Sequence, residues 1–334
     1  MVIFHRKSLV CFFNLGLLLS LTLLGCTPDS SQSPSSPPTS ETSTAVSGET
    51  RIIEHAMGRT EIQGTPQRVV VLTNEGTDIA LALGITPVGA VKSWQGNVFY
   101  DYVAHRLEGV PVVGDEFKPN FETILNLKPD LILGSKVRQK RAYKKLSAIA
   151  PTVFSETLGK TWKDNVKLYS QALNRESQAQ QLLTDWERRI AEFREKLGDT
   201  PPTVSLVRFL PGVVRIYYQE SFPGQIVAEA GLSRPQGQQK DKFADAISLE
   251  KIEILEADYL FYFTYNQEKQ KGEDIKNQWL KHSLWQTLEV VQKEQAYEVS
   301  DAEWTSSSGV LAANQVLDDL SQAILKLDST DPAQ

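Results

Sequence analysis

Asn120-Phe121-Glu122-Thr123-Ile124-Leu125-Asn126-Leu127-Lys128-Pro129-Asp130-Leu131-Ile132-Leu133 has a second copy 128 residues further on: Ser248-Leu249-Glu250-Lys251-Ile252-Glu253-Ile254-Leu255-Glu256-Ala257-Asp258-Tyr259-Leu260-Phe261. Each copy opens on a helix-capping residue, places a glutamate two positions later, and runs through a short helix to an aspartate and an apolar strand. The repeat predicts two similar α/β lobes, each presenting one glutamate at the start of an exposed helix. Two lobes enclose a cleft. Matched acidic knobs suit a partner with two-fold symmetry.

Outward from the first copy, Gln67 to Leu72 is a β-branched run and reads as a buried strand. Thr73-Asn74-Glu75-Gly76 reads as the loop after it, and Thr77–Leu83 as a helix stopped by Gly84. Thr86–Val91 and Pro151–Phe154 are further strands, with a basic loop from Ser135 to Arg141 between them. Strands alternate with helices, as in a parallel sheet. From Trp162 to Leu197 apolar residues recur at threes and fours with no Gly or Pro, which predicts one long amphipathic helix. Thr203–Phe209 and Val213–Tyr218 flank Pro211-Gly212 and read as a hairpin. A helix at Pro223–Ala230, a late strand at Ala296–Val299 and a closing helix at Val310–Leu325 complete the second lobe.

The N-terminus follows different rules. Arg6 and Lys7 precede a leucine-rich stretch from Leu15 to Leu24, and Leu23-Leu24-Gly25-Cys26 follows. The apolar run is too short to span a bilayer and reads as a secretory signal over residues 1–25. The two cysteines are Cys11, inside the signal, and Cys26, so no disulfide is expected to staple the mature fold. Residues 26–50 are rich in Ser, Thr, Pro and Gln and read as a disordered tether. The rest of the 334-residue chain divides into a lobe at 51–161, a connecting helix at 162–198 and a lobe at 199–330. The formal net charge of −6 becomes more acidic once Arg6 and Lys7 are removed, which argues against nucleic acid as a partner.

The ending Leu23-Leu24-Gly25-Cys26 resembles a bacterial lipobox, which implies that Cys26 is diacylated and anchored in membrane lipid. Thr65-Pro66-Gln67-Arg68-Val69-Val70-Val71-Leu72, Ala82-Leu83-Gly84-Ile85-Thr86-Pro87-Val88-Gly89 and the Asn120 to Ile132 copy resemble substrate-binding proteins of bacterial importers for ferric siderophores and cobalamin. Phe222-Pro223-Gly224-Gln225-Ile226 and Ser308-Gly309-x-Leu311-Ala312-Ala313 extend the resemblance into the second lobe and are closer to the siderophore branch. The resemblance covers roughly residues 51 to 328. It implies two Rossmann-like α/β lobes joined by a single long rigid helix, with small ligand-driven closure. It further implies a monomer in the cell envelope, periplasmic or on the outer face of the cytoplasmic membrane. Glu122 and Glu250, by motif position, would form salt bridges to arginines of an ABC permease dimer. A glutamate in a first helical turn also complements the helix dipole, but that does not account for the same offset in both lobes.

The four histidines show no paired spacing, so no direct metal ligand and no cofactor are expected; iron would arrive already chelated. A ferric siderophore needs aromatic faces for its carbon skeleton and cations for its chelating oxygens. In this topology the cleft lies at the carboxyl ends of the strands. The loops there supply Asn74, Trp94, Lys136 and Arg138 from the first lobe, and Arg208, Arg215, Tyr217, Tyr265 and Trp304 from the second. Trp94, Arg138, Arg208, Tyr217 and Trp304 are expected to contact the ligand, with Arg208 as the central cation. The expected cargo is a hydroxamate or hydroxycarboxylate siderophore, ferric citrate included, with haem, cobalamin or a non-transport sensor role as alternatives. Ser248-Leu249-Glu250-Lys251 matches the Ser-x-x-Lys of penicillin-recognising hydrolases, but no companion motif accompanies it. Ser248 reads better as a helix N-cap, and no enzyme activity is expected.

Overall fold

The computed structural model describes residues 49–266 and 271–326. The signal sequence, Cys26, the tether up to residue 48 and the end of the second lobe at 327–330 lie outside the described residues. The fold opens on an antiparallel hairpin of β1 (Thr50–His55) and β2 (Gly58–Gln63), with Gly58 at φ 122° making the reversal. Thr50 pairs with Gln63, so this last residue of the expected tether belongs to the folded body.

Four parallel strands follow: β3 (Val69–Val71), β4 (Gly89–Ala90), β5 (Leu131–Ser135) and β6 (Thr152–Ser155), in the order β4-β3-β5-β6. The residues of all four are buried, as the apolar runs require of a sheet covered on both faces. Helix α1 (Asn74–Ala82) starts three residues earlier than its apolar pattern suggests. Thr73 is its N-cap, accepting the Gly76 N–H, so Asn74 and Glu75 sit in the first turn and not in a loop. Helix α2 (Phe121–Asn126) is the first repeat copy, capped by Asn120.

The second lobe has five strands: β7 (Val204–Leu210), β8 (Val213–Tyr217), β9 (Ala244–Ile247), β10 (Tyr259–Thr264) and β11 (Ala296–Glu298), in the order β11-β10-β7-β8-β9. Strands β7, β10 and β11 are parallel, while β8 runs antiparallel to both neighbours. The second repeat copy forms tight 3₁₀ turns over Leu249–Leu255, interrupted at Lys251. Ser248 takes the expected N-cap position with extended angles, and its carbonyl accepts the Lys251 N–H, but its side chain makes no capping hydrogen bond.

The aspartate shared by the two copies has one job in both lobes. Asp130 accepts the N–H groups of Gln67 and Arg68 at 2.7 and 2.8 Å. Asp258 accepts the N–H and hydroxyl of Thr203 at 2.7 and 2.8 Å. Each carboxylate ties the start of its own strand to the start of the neighbouring one, β5 to β3 and β10 to β7.

The connector differs from the expected single helix. It is two helices, α3 (Trp162–Leu173) and α4 (Glu176–Leu197). Asn174 adopts the left-handed conformation at φ 57°, and the Arg175 N–H reaches back to the Ser170 carbonyl. Asn tolerates that conformation better than most residues and ends a helix much as Gly does. The chain then doubles back: Trp162 and Trp186 meet edge to face with centroids 5.3 Å apart. Helix α3 packs on α1 and β6 and belongs to the first lobe. The connection is therefore α4 alone, 22 residues and about 33 Å at 1.5 Å per residue.

One apolar core runs through both lobes. It joins Val69, Val71, Leu131 and Leu133 of the first sheet to Val204, Leu206, Phe261 and Phe263 of the second. Trp162, Trp186, Ile226 of helix α5 (Phe222–Glu229), and Val310 and Val316 of helix α6 (Val310–Leu325) fill the space between. Helix α6 begins on Gly309, which has no side chain to cap it. The cap comes from the other lobe. Asp78 of α1 accepts the Leu311 N–H at 2.8 Å and the Ala312 N–H at 3.0 Å, and its Oδ2 also accepts the Tyr102 hydroxyl at 2.8 Å. Replacing Asp78 with Ala removes this cap and one partner of a buried hydroxyl. Urea unfolding is expected to show a loss of about 1–3 kcal/mol; a loss within error would show that the cap contributes nothing.

Candidate functional site

A cavity of about 290 Å³ opens between the lobes. Trp94, Leu158 and Gly159 come from loops of the first lobe, and Arg138 from the helical turn Lys136–Gln139. Arg208, Tyr217, Phe222, Phe243, Tyr265, Thr305, Ser306 and Ser308 come from the second. A second hollow of about 650 Å³ adjoins it at Trp94 and reaches past Lys92, Phe117 and Lys118. Trp94 and Phe117 pack edge to face at 5.3 Å, and the Arg138 guanidinium lies 5.7 and 5.1 Å from their ring centres.

Two arginines face the cavity, and each is held by a buried carboxylate. Arg138 Nε donates to Glu116 Oε2 at 2.8 Å. The other oxygen of Glu116 accepts the N–H and the side-chain amide of Asn74 at 2.8 and 2.9 Å, so this 2 % exposed group is fully partnered. The terminal nitrogens of Arg138 have no acceptor among the described residues, and its side chain stays 31 % exposed. Arg208 is more tightly engaged. Its Nε and Nη2 grip Asp301 at 2.6 and 2.8 Å, Nη2 also reaches Ser306 at 3.0 Å, and Nη1 donates to the Tyr217 hydroxyl at 3.2 Å. The Tyr265 ring covers it at 5.1 Å. Burial is the largest single influence and opposes the charge of Arg208, but Asp301 and Tyr217 together outweigh it and hold its pKa above the ordinary value.

The two lobes also touch at the cavity rim. Gln95 of the first lobe donates to Asp301 at 2.8 Å and accepts the Asn266 N–H. The Tyr265 hydroxyl donates to the Trp94 carbonyl at 3.4 Å. Gly159 donates its N–H to Glu75 Oε2 at 2.6 Å, and Glu75 also accepts from Asn165. Burial pushes the Glu75 pKa up to about 8 against those two hydrogen bonds, with Glu116 and Asp78 adding to the rise.

Of the nine residues expected at the ligand, the structure brings Trp94, Arg138, Arg208, Tyr217 and Tyr265 to one cavity. The other four stand elsewhere. Asn74 is buried behind the wall and serves Glu116. Lys136 lies in a helical turn and pairs with Glu156 at 2.7 Å. Arg215 is exposed and does not line the cavity. Trp304 is fully buried, stacked on Phe261 at 4.9 Å with its Nε1–H donated to Asp319, so it is core and not wall. It sits in a π-helical turn, Ala302–Ser306, that sends Trp304 inward and leaves Thr305 and Ser306 on the cavity. Phe222, Phe243, Glu116 and Asp301 escaped the sequence reading. Nothing local marks the two carboxylates, whose partners lie 22 and 93 residues away.

Glu122 and Glu250 are both exposed and make no ion pair among the described residues. Ser248 and the backbone N–H of Glu250 hold the Glu250 carboxyl below its usual range. The Asn120 N–H donates to the Val113 carbonyl, and the Val113 N–H meets the Ala90 carbonyl at the carboxyl end of β4, so Glu122 stands toward the carboxyl ends of the first sheet. Ile247 pairs with Val214, itself opposite Phe209 near the end of β7, so Glu250 rises at the matching end of the second. Among the described residues no three His, Cys, Asp or Glu side chains are grouped to hold a metal ion.

The model of the periplasmic binding protein family matches residues 69–302, and the chain belongs to that family. It is 48 % identical over 297 residues to the probable siderophore-binding lipoprotein YfiY of Bacillus subtilis, covering 86 % of this chain and 91 % of that one. It is 37 % identical to the achromobactin-binding periplasmic protein of Dickeya dadantii, over 77 % of this chain and 86 % of the other. Among solved structures, Staphylococcus aureus SirA complexed with staphyloferrin B is similar at a TM-score of 0.75 and 34 % identity, with 84 % of this chain and 100 % of that chain covered.

A carboxyl whose pKa rises on folding binds its proton more tightly in the native state, so stability falls as pH climbs through the interval between the two values. For Glu75 that interval runs from 4.5 to about 8. Glu75→Gln is expected to flatten the decline in unfolding free energy across this range by on the order of a few kcal/mol. Parallel curves for wild type and variant, measured by denaturant unfolding at stepped pH, would remove Glu75 as the cause.

Proposed function

We propose that this member of the periplasmic binding protein family captures a ferric siderophore and delivers it to an ABC permease for iron uptake. The carrying observation is the pair of arginines in one aromatic-walled cavity, each oriented by a buried carboxylate. Trp94, Tyr217, Tyr265, Phe222 and Phe243 offer flat apolar faces for a chelator's skeleton. Arg138 presents terminal N–H groups to the oxygens of an anionic cargo. The roles of the two arginines divide. Arg208, matched by Asp301, positions Tyr217 and Ser306, and Arg138 is the primary contact for ligand charge. Cargo of the hydroxycarboxylate or hydroxamate type, ferric citrate included, suits this wall. The relatives named above, one a probable siderophore-binding lipoprotein, one achromobactin-binding and one complexed with staphyloferrin B, support a siderophore as the cargo.

The rest of the reading is architectural. The chain works as a monomer in the cell envelope, anchored through lipid on Cys26, and Glu122 and Glu250 dock on paired arginines of the permease. Their exposure and their matching places at the carboxyl ends of the two sheets support this.

Arg138→Gln is expected to weaken ferric-siderophore binding about 10- to 100-fold, the equivalent of one charge-assisted contact. Tryptophan fluorescence titration, with ligands chosen by native mass spectrometry against a panel of ferric chelates, haem and cobalamin, measures this. Unchanged affinity removes Arg138 from the site, and selection of haem or cobalamin rejects the siderophore reading. Charge reversal of both Glu122 and Glu250 should abolish uptake by cells while leaving that affinity intact; surviving uptake would reject docking through them.

A further inference from the structure

Behind the ligand cleft, on the second lobe, a separate cavity of about 280 Å³ is lined by Gln219, Gly224, Ser233, Arg234, Gln238 and Lys240, with Ala228, Leu232 and Gln239 completing it. No carboxylate is among these residues. Arg234 stands out within it. One Nη2 is used, donating to the Tyr217 carbonyl at 2.6 Å and to Gln238 Oε1 at 2.8 Å. Its Nε and Nη1 are buried and meet no acceptor among the described residues. Among the described residues no aspartate or glutamate pairs with it. This contrasts with Arg138 and Arg208, each of which has a dedicated carboxylate. Burial pushes the Arg234 pKa down to about 10, the response of a cation without a counter-charge.

A buried guanidinium with two idle donors is costly unless something supplies oxygen acceptors and negative charge. The rest of the wall is of the matching kind. Gln219, Gln238 and Gln239 carry amide groups and Ser233 a hydroxyl. Lys240 brings a second cation, shared with Asp245 at 3.2 Å and lying over the Tyr218 ring at 4.9 Å. We infer that this cavity is a second binding site, distinct from the cleft, that takes one small oxyanion of phosphate or carboxylate chemistry on Arg234 and Lys240. Guanidinium and oxyanion match in geometry as well as charge. Tyr217 lies between the two sites. Its carbonyl takes the Arg234 Nη2 on one side, and its hydroxyl takes Arg208 Nη1 in the cleft on the other.

Isothermal titration of the full chain with inorganic phosphate, and separately with acetate, at an ionic strength fixed with chloride, tests the site. One phosphate or acetate per chain is expected, and the better of the two identifies the oxyanion chemistry. Arg234→Met should weaken that binding at least tenfold, and Lys240→Gln about threefold. Arg138→Gln, which alters only the cleft, should leave it unchanged. No saturable binding of either anion by wild type overturns the inference. So does loss of binding in Arg138→Gln, which would place the anion in the cleft. If Arg234→Met does not fold, Lys240→Gln decides: undiminished affinity overturns the site.

Discussion

Asp78 belongs to the first lobe by sequence and caps a helix of the second. Its carboxylate takes two backbone N–H groups at the start of α6 and the Tyr102 hydroxyl, in an interior where it is 1 % exposed. Gly309, the residue it would otherwise need, has no room for a side chain, since a Cβ there would stand 2.2 Å from the Asp78 carboxylate. The closing helix can therefore begin only where α1 meets it. Arg189 of α4 reaches Asp318 and Asn314 on the same helix, and the shared apolar core fills the space between. Moving the lobes far apart would expose that core and strand the donors of α6. A receptor built this way holds its cleft largely preformed, which limits the entropy lost when a rigid cargo binds.

The same logic of buried carboxylates runs through the cleft wall. Asn74 and Glu75 occupy the first turn of α1, four and three residues before Asp78. Asn74 secures Glu116, Glu116 orients Arg138, and Glu75 fixes the Gly159 N–H beneath the cavity. One helix thus sets the lobe contact and one side of the binding surface. On the other side Asp301 performs the matching service for Arg208 and also takes the Gln95 amide across the cleft. A buried arginine without such a partner would be destabilising in the empty protein. Pairing removes that cost and fixes the plane of the guanidinium, so that ligand oxygens meet donors already in place.

How far the sequence could be read depended on whether the deciding contact was local. The repeated aspartate was visible as a pattern, and its purpose follows from strand order: Asp130 and Asp258 each clamp the neighbouring strand. The expected single helix failed at Asn174, because a left-handed Asn ends a helix without the Gly or Pro that usually marks it. Aromatic and basic loop residues were found by type, and five of nine reached the cavity. Trp304 failed because a π-helical turn rotates it into the core. Lys136 failed because Glu156, close in the fold, claims its charge.

By itself the sequence determined the α/β class, the two lobes and the stretches from which a cleft would be lined. These follow from apolar periodicity, capping residues and turn chemistry, which act over a few neighbours along the chain. Only the tertiary structure decided which cations are neutralised and which remain available. Arg138, Arg208 and Arg234 look alike in one dimension, yet a carboxylate from a distant segment partners the first two, and none among the described residues pairs with the third. Electrostatic partnership depends on distance and burial in space, and those exist only after the chain has folded.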